Sequence, residues 1–167
     1  PKVLEELSVP VAFTSAMPEL AKHLQETVNP DFILSPDKGA IERASEVANA
    51  INCQFSYLEK TRIDAHNILH KAKDLDVEGK VVAIVDDMIA TGGTICRAAD
   101  ALRSQGAIEV HAACSHGLFT GGAVARLIRY VDGVHATSSL KNPRDVISGG
   151  PALARGVKEL FENLGWE

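Results

Sequence analysis

The chain has 167 residues, 46% hydrophobic and 23% charged, with a formal net charge of -5 and a pI near 5.7. That length fits one domain with its own core, and an acidic balance argues against a nucleic-acid partner, because phosphate backbones attract basic surfaces. No apolar run is long enough to span a bilayer, and the first residues, PKVLEELSVP, lack the basic start and apolar stretch of a signal peptide.

In chain order, apolar runs alternate with segments of helical period. Pro18–Val28 places Leu20, Ala21, Leu24 and Val28 on one face, with Pro18 in a first-turn position. Phe32–Leu34 reads as a short strand ended by Ser35-Pro36-Asp37. Ile41–Ile51 resumes the helical period, and Gln54–Leu58 is a second strand. Glu59–Lys80 is polar and poorly periodic, a long loop or a hairpin, and loops of this length are commonly functional. Val81–Val85 is a five-residue apolar run, the mark of a strand covered on both faces.

Thr94–Ser104 follows as a helix, Ile108–Cys114 as a strand, Ala123–Tyr130 as a helix and Gly133–Thr137 as a strand. Pro151–Leu164 closes the chain as a helix with Leu153, Val157, Leu160, Phe161 and Leu164 on its apolar side. Alternating strands and helices predict an α/β fold of three layers, a largely parallel sheet flanked by helices. Cys53, Cys96 and Cys114 are scattered and odd in number. They read as reduced core thiols of a cytoplasmic protein.

In a parallel sheet, ligands bind where strands end and loops begin. Asp86 and Asp87 follow the buried run directly, and paired carboxylates suit the vicinal hydroxyls of a sugar. Thr91-Gly92-Gly93-Thr94 then opens a helix. Two glycines let backbone N–H groups approach an anion, the helix start adds partial positive charge, and the threonines add hydroxyl donors. One end of the loop fits a diol and the other a phosphate. No Gly-Lys-Ser/Thr follows, which excludes a Walker-type loop. The bland alternative is a strand-to-helix turn with Asp86 and Asp87 as solvated charge.

The segment VVAIVDDMIATGGT resembles the phosphoribosyl-pyrophosphate (PRPP) signature shared by type I phosphoribosyltransferases and PRPP synthetases (ribose-phosphate pyrophosphokinases). Three further segments favour the latter. FILSPDKGAIER, residues 32–43, resembles the SPDxGG loop, with Ala40 in place of the second glycine. The match implies that Asp37, Lys38 and Gly39 build the pyrophosphate side and that Asp37 is a Mg²⁺ ligand. A Ser-Pro-Asp turn capping the next helix is the structural alternative. YLEKTRIDAHN resembles the catalytic loop with its Lys-x-Arg element, which implies that Lys60 and Arg62 offset charge on the transferring group. From the residues alone, a pair of surface cations is an equal reading. His66 and His70 have a spacing that can hold a metal, but no third ligand lies near. ACSHGLFTG resembles the THGxFS segment, with His116 as a support for the loops.

The resemblance implies a type I phosphoribosyltransferase-like domain over residues 1–167, the C-terminal half of a two-domain, archaeal-type, homo-oligomeric enzyme. The implied reaction passes the diphosphoryl group of ATP, with Mg²⁺, to the 1-hydroxyl of ribose 5-phosphate. Asp86 and Asp87 would bind ribose hydroxyls, and Ala90, Thr91, Gly92, Gly93 and Thr94 would surround the ribose phosphate. Ala90 stands where an acid is common in the bacterial spacer. No counterpart of the first half, with its adenine contacts and histidine metal ligand, is found. Two competing readings remain at this point. One is a type I phosphoribosyltransferase, which would need a hood for a nucleobase; the other is a non-catalytic regulatory subunit of the same family.

Overall fold

The computed structural model describes residues 8–62, 68–71 and 75–166, and of residues 59–62 and 68–71 the backbone alone. In chain order the elements are α1 (Met17–Thr27), β1 (Phe32–Ser35), a 3-10 turn (Lys38–Ala40), α2 (Ile41–Ile51), β2 (Gln54–Tyr57), β3 (Glu59–Arg62) and β4 (Ile68–Lys71). There follow β5 (Val81–Ile89), α3 (Gly93–Ser104), β6 (Glu109–Gly117), α4 (Ala123–Leu127), β7 (Gly133–Thr137), β8 (Asp145–Ile147) and α5 (Gly150–Leu164).

Six strands pair in parallel in the order β2-β1-β5-β6-β7-β8. Side chains alternate across this sheet, and each face is covered. On one face Ile33, Ala83, Val85 and Ala113 pack under α1 and α2 through Leu20, Leu24, Val47 and Ala48. On the other, Leu34, Val82, Ile84, Val110 and Ala112 pack against Ile95, Ala99 and Leu102 of α3 and Leu127 of α4. The expected three-layer α/β fold is therefore present.

The topology fixes where a ligand can bind. From β1 the chain crosses by α2 to β2 at one edge; from β5 it crosses by α3 to β6 on the other side. Two neighbouring parallel strands thus send their connections apart, which opens a crevice at their C-terminal ends. The loops after β1 and β5 border it.

The structure revises some expectations and decides between the alternatives left open at others. β5 does not stop at Val85: pairing with β6 continues through Asp86, Met88 and Ile89, so both aspartates sit within the strand's last turn of pleat. The polar stretch after Leu58 forms an antiparallel hairpin, β3 with β4, separate from the main sheet. His70 lies on β4, so helical spacing does not apply to it, and His66 lies outside the described residues. β8, unanticipated, adds a three-residue edge strand. The apolar side of α5 is not buried: Leu153 is 68% exposed, Val157 52% and Phe161 43%. Its period is helical as expected, but the helix meets the body at Ala152, at Gly156 beside Thr14, and through an Arg155–Glu19 ion pair.

Across the N-terminal ends of β6 and β7 runs a chain of imidazoles. His23 Nε2 lies 2.9 Å from His135 Nδ1, His135 Nε2 lies 3.3 Å from His111 Nδ1, and His111 Nε2 lies 3.2 Å from Glu109 Oε2. Gly133 makes room for it, since a Cβ there would sit 2.5 Å from His111 Nδ1.

Candidate functional site

The loop after β1 is shaped by its own side chains. Ser35 Oγ donates to the Asp37 carbonyl at 2.5 Å, and Gly39 N–H donates to Asp37 Oδ1 at 2.8 Å. Asp37 is thus the N-cap of the 3-10 turn that leads into α2. The capping alternative read from the sequence is real geometry, and it does not bar a second role, because a carboxylate oxygen carries two lone pairs. Ala40 has φ -102° and is buried, so the backbone there does not require the family's glycine. Lys38 is exposed, with its ammonium 5.7 Å from the centre of the Tyr57 ring.

Facing it, Asp86 accepts the Asp87 N–H at 2.8 Å. Burial pushes the Asp86 carboxyl up from 3.8 to about 7, with the charges of Asp87 and Asp37 adding to the rise. The Asp37 and Asp86 carboxylates therefore sense one another across the crevice. Arg43 joins the two loops: its guanidinium donates to the Gly39 carbonyl at 3.2 Å and pairs with Asp87 Oδ2 at 3.0 Å. Arg43 stands one helical turn beyond Gly39, inside the matched segment. Its spacing was visible in the sequence, but its partner Asp87 lies on another strand.

The Thr91–Thr94 turn begins α3. Gly92 is left-handed, with φ +75°, and a Cβ there would stand 2.9 Å from Leu127 Cγ. Neither condition suits a larger residue. Gly93 has ordinary φ, and its Cβ would meet nothing closer than Arg97 Nη1 at 3.7 Å. Ala90 offers its carbonyl to the Thr120 N–H at 2.9 Å.

His116 Nδ1 lies 2.9 Å from Ser139 Oγ, which donates to the Ser115 carbonyl at 2.7 Å. His116 thereby ties the end of β6 to the loop after β7. With Arg43, Asp87, Thr14 and Leu153, these residues border a cleft of about 590 Å³ beside the two aspartates. The backbone of β3 carries Lys60 and Arg62, paired in register with His70 and Ile68; their side chains lie outside the described residues. Burial raises the thiols of Cys53 and Cys96 and pushes Cys114 up to about 12, so none supplies a thiolate near neutral pH.

Among the described residues no cluster of three or more His, Cys, Asp or Glu is arranged to cage a metal ion. No helix there is long and apolar enough to cross a membrane.

The paired acids Asp86 and Asp87 and the Thr91–Thr94 turn therefore lie at one end of β5, across a crevice from a second glycine-containing turn. Residues 7–140 match the phosphoribosyl transferase domain. The chain belongs to that family. Among curated relatives of this phosphoribosyl transferase domain, the ribose-phosphate pyrophosphokinase of Methanopyrus kandleri is 40% identical over 163 residues, which cover 96% of this chain and 56% of that protein. The Thermococcus kodakarensis ribose-phosphate pyrophosphokinase is also 40% identical, over 81% of this chain and 49% of that protein. The chain spans about half the length of the curated relatives it matches. The phosphoribosylpyrophosphate synthetase of Mycobacterium smegmatis superposes with a TM-score of 0.70 at 31% identity, over 89% of this chain and 51% of that one. The adenine phosphoribosyltransferase (APRTase) of Giardia lamblia, at 14% identity and a TM-score of 0.64 over 72% of this chain and 76% of that one, shares the phosphoribosyl transferase fold alone.

Proposed function

We propose that this domain is the ribose 5-phosphate-binding, C-terminal half of a ribose-phosphate diphosphokinase. The observation that carries the reading is the Arg43 bridge. It holds the Ser35–Ala40 turn and the Asp86–Asp87 pair on opposite walls of one crevice, in a chain 40% identical to a ribose-phosphate pyrophosphokinase.

In this reading Asp86 and Asp87 accept hydrogen bonds from the ribose hydroxyls. The backbone from Ala90 to Gly93 and the hydroxyls of Thr91 and Thr94 hold the 5-phosphate at the start of α3. The 1-hydroxyl oxygen attacks the β-phosphorus of ATP, and its proton passes to solvent. The bond from that phosphorus to the α,β-bridging oxygen breaks, and AMP leaves with the oxygen. Asp37, Lys38 and Gly39 line the pyrophosphate side, and Lys60 and Arg62 offset the charge of the diphosphoryl group in flight.

The carboxyl groups of Asp37 and Asp86, which sense one another across the crevice, are hard oxygen donors of the kind Mg²⁺ takes. So few protein ligands suit an ion that draws its remaining ligands from water and phosphates. Asp37 would hold it, and the ion would neutralise phosphate charge. Unpaired thiols support a reducing, cytoplasmic setting, and the exposed apolar side of α5 supports a homo-oligomer.

The test is calorimetry of ribose 5-phosphate into the isolated chain, followed by an AMP-release assay with ATP, Mg²⁺ and ribose 5-phosphate. Binding with little AMP release is expected. Absence of binding rejects the site; robust AMP release rejects the half-enzyme reading.

A further inference from the structure

The geometry points to Arg126 as a positioning residue that aims the phosphate-binding turn. This inference rests on the ribose 5-phosphate reading of that turn. Three successive carbonyls, from the last residue of β5 into the loop after it, are held from one side by one segment. The Ile89 carbonyl accepts from the N–H groups of Leu118 and Phe119 at 3.0 and 3.1 Å, and the Ala90 carbonyl from the Thr120 N–H at 2.9 Å. At Thr91 backbone donors run out and a side chain takes over: Arg126 Nη1 donates to the Thr91 carbonyl. Arg126 Nη2 donates to the Gly121 carbonyl at 3.3 Å, so one guanidinium staples the turn to the loop before α4.

The consequence falls on the next amide. In a trans peptide the C=O and N–H point in opposite directions. Drawing the Thr91 carbonyl toward Arg126 sends the Gly92 N–H the other way, away from α4. The neighbour of Arg126 completes the clamp. Leu127 fills the space that a Cβ at Gly92 would need, 2.9 Å away. The peptide plane between Thr91 and Gly92 is therefore gripped by a charged hydrogen bond at one side and by packing at the other. An anion site built from backbone N–H groups depends on that plane, because a turned amide presents its carbonyl to the phosphate instead of its donor.

Arg126 differs from the residues of the proposed site in that it works through the Thr91 carbonyl. A fixed peptide plane spares the ligand the cost of ordering it. Lysine cannot substitute fully, since one ammonium lacks the planar fork that reaches two carbonyls together.

The experiment uses the isolated chain and two probes. Ribose 5-phosphate is titrated by calorimetry, and inorganic phosphate is titrated while the Gly92 amide resonance is followed. Arg126→Ala should weaken ribose 5-phosphate by about tenfold, the loss typical of a charged hydrogen bond. Its Gly92 amide should no longer respond to phosphate, although the melting curve stays cooperative. Arg126→Lys should recover part of both. Should the alanine variant fail to fold, the lysine variant carries the same readout. Affinity within twofold of the parent chain, or a Gly92 amide that still responds in Arg126→Ala, overturns the inference while leaving the site reading intact. A parent chain that binds no ribose 5-phosphate rejects the site reading itself, and the inference with it.

Discussion

Arg43 on α2 pairs with Asp87 on β5 at 3.0 Å while holding the Gly39 carbonyl at 3.2 Å, so one side chain spans the crevice between β1 and β5. Both partners of the ion pair are more than 40% exposed, at 41% and 46%. Pairs of that kind add about 0.2–1 kcal/mol to stability. Arg43→Ala should therefore lower the melting temperature only slightly. Its effect on binding should be larger, because the Ser35–Ala40 turn loses its tie to the aspartates. We expect a fall in ribose 5-phosphate affinity of roughly threefold to tenfold by calorimetry, from lost preorganisation. An unchanged affinity with a large loss of stability would show that Arg43 braces the fold and leaves the site alone.

The two glycines of the turn should respond differently. Gly92→Ala puts a Cβ into a left-handed residue and against Leu127. A penalty of about 1–3 kcal/mol is expected in denaturant melts. Gly93→Ala meets only ordinary contacts and should cost about 1 kcal/mol or less. It should still weaken phosphate binding, since the methyl stands where backbone donors approach the anion. Equal destabilisation by the two would contradict the geometry.

Much of this was legible in the chain, for identifiable reasons. The aspartate pair and the Thr-Gly-Gly-Thr turn are local: strand end, turn and helix start are consecutive, so their order alone carries their arrangement. Arg43–Asp87, Arg126–Thr91 and His116–Ser139 join residues 44, 35 and 23 positions apart, and no period or propensity encodes such pairs. The apolar stripe of α5 showed the opposite gap. Its helical period predicts an amphipathic helix, but period alone does not say what covers the stripe. Lys60 and Arg62 were singled out by resemblance, and the structure adds only their place on β3.

Asp86 should make the unliganded domain less stable as pH rises. Its carboxyl stays protonated in the folded state until about 7, against 3.8 ordinarily. Between these values the unfolded chain has already released the proton. This contribution is complete below about 3.8 and is lost as pH rises through about 7. Allowing for partial solvent screening, Asp86→Asn should gain roughly 2 kcal/mol at pH 8 and nothing at pH 4, read from denaturant melts. Ribose 5-phosphate affinity in the parent chain should rise between pH 6 and 8 as the acceptor ionises, and Asp86→Asn should flatten the part that the ligand's own phosphate ionisation does not explain. A gain independent of pH would mean that the carboxyl is ionised throughout.

The histidine chain should act in the opposite direction. Burial, with the charges of His23, His111 and Arg144, lowers His135 from 6.5 to about 4. His23 is lowered as well, by burial. With every ring neutral, one tautomer pattern satisfies the chain: His23 donates to His135, His135 to His111, and His111 to Glu109. A proton on His135 obliges both of its nitrogens to donate and breaks that order at His23. In the window from about 6.5 down to about 4 the unfolded chain binds a proton that the folded chain refuses. Stability from this group is complete above about 6.5 and is lost as pH falls through about 4. The Asp86 contribution slopes the other way over nearly the same range, so the parent chain should show a shallow profile between pH 4.5 and 6.5. Removing one slope exposes the other. Asp86→Asn should become more stable by about 2 kcal/mol as pH rises across that window, after allowance for screening. Adding His135→Leu should remove most of the rise and leave the smaller part that His23 contributes, whatever it does to absolute stability. A rise undiminished in the double variant would assign it to other groups and reject His135 as its main source.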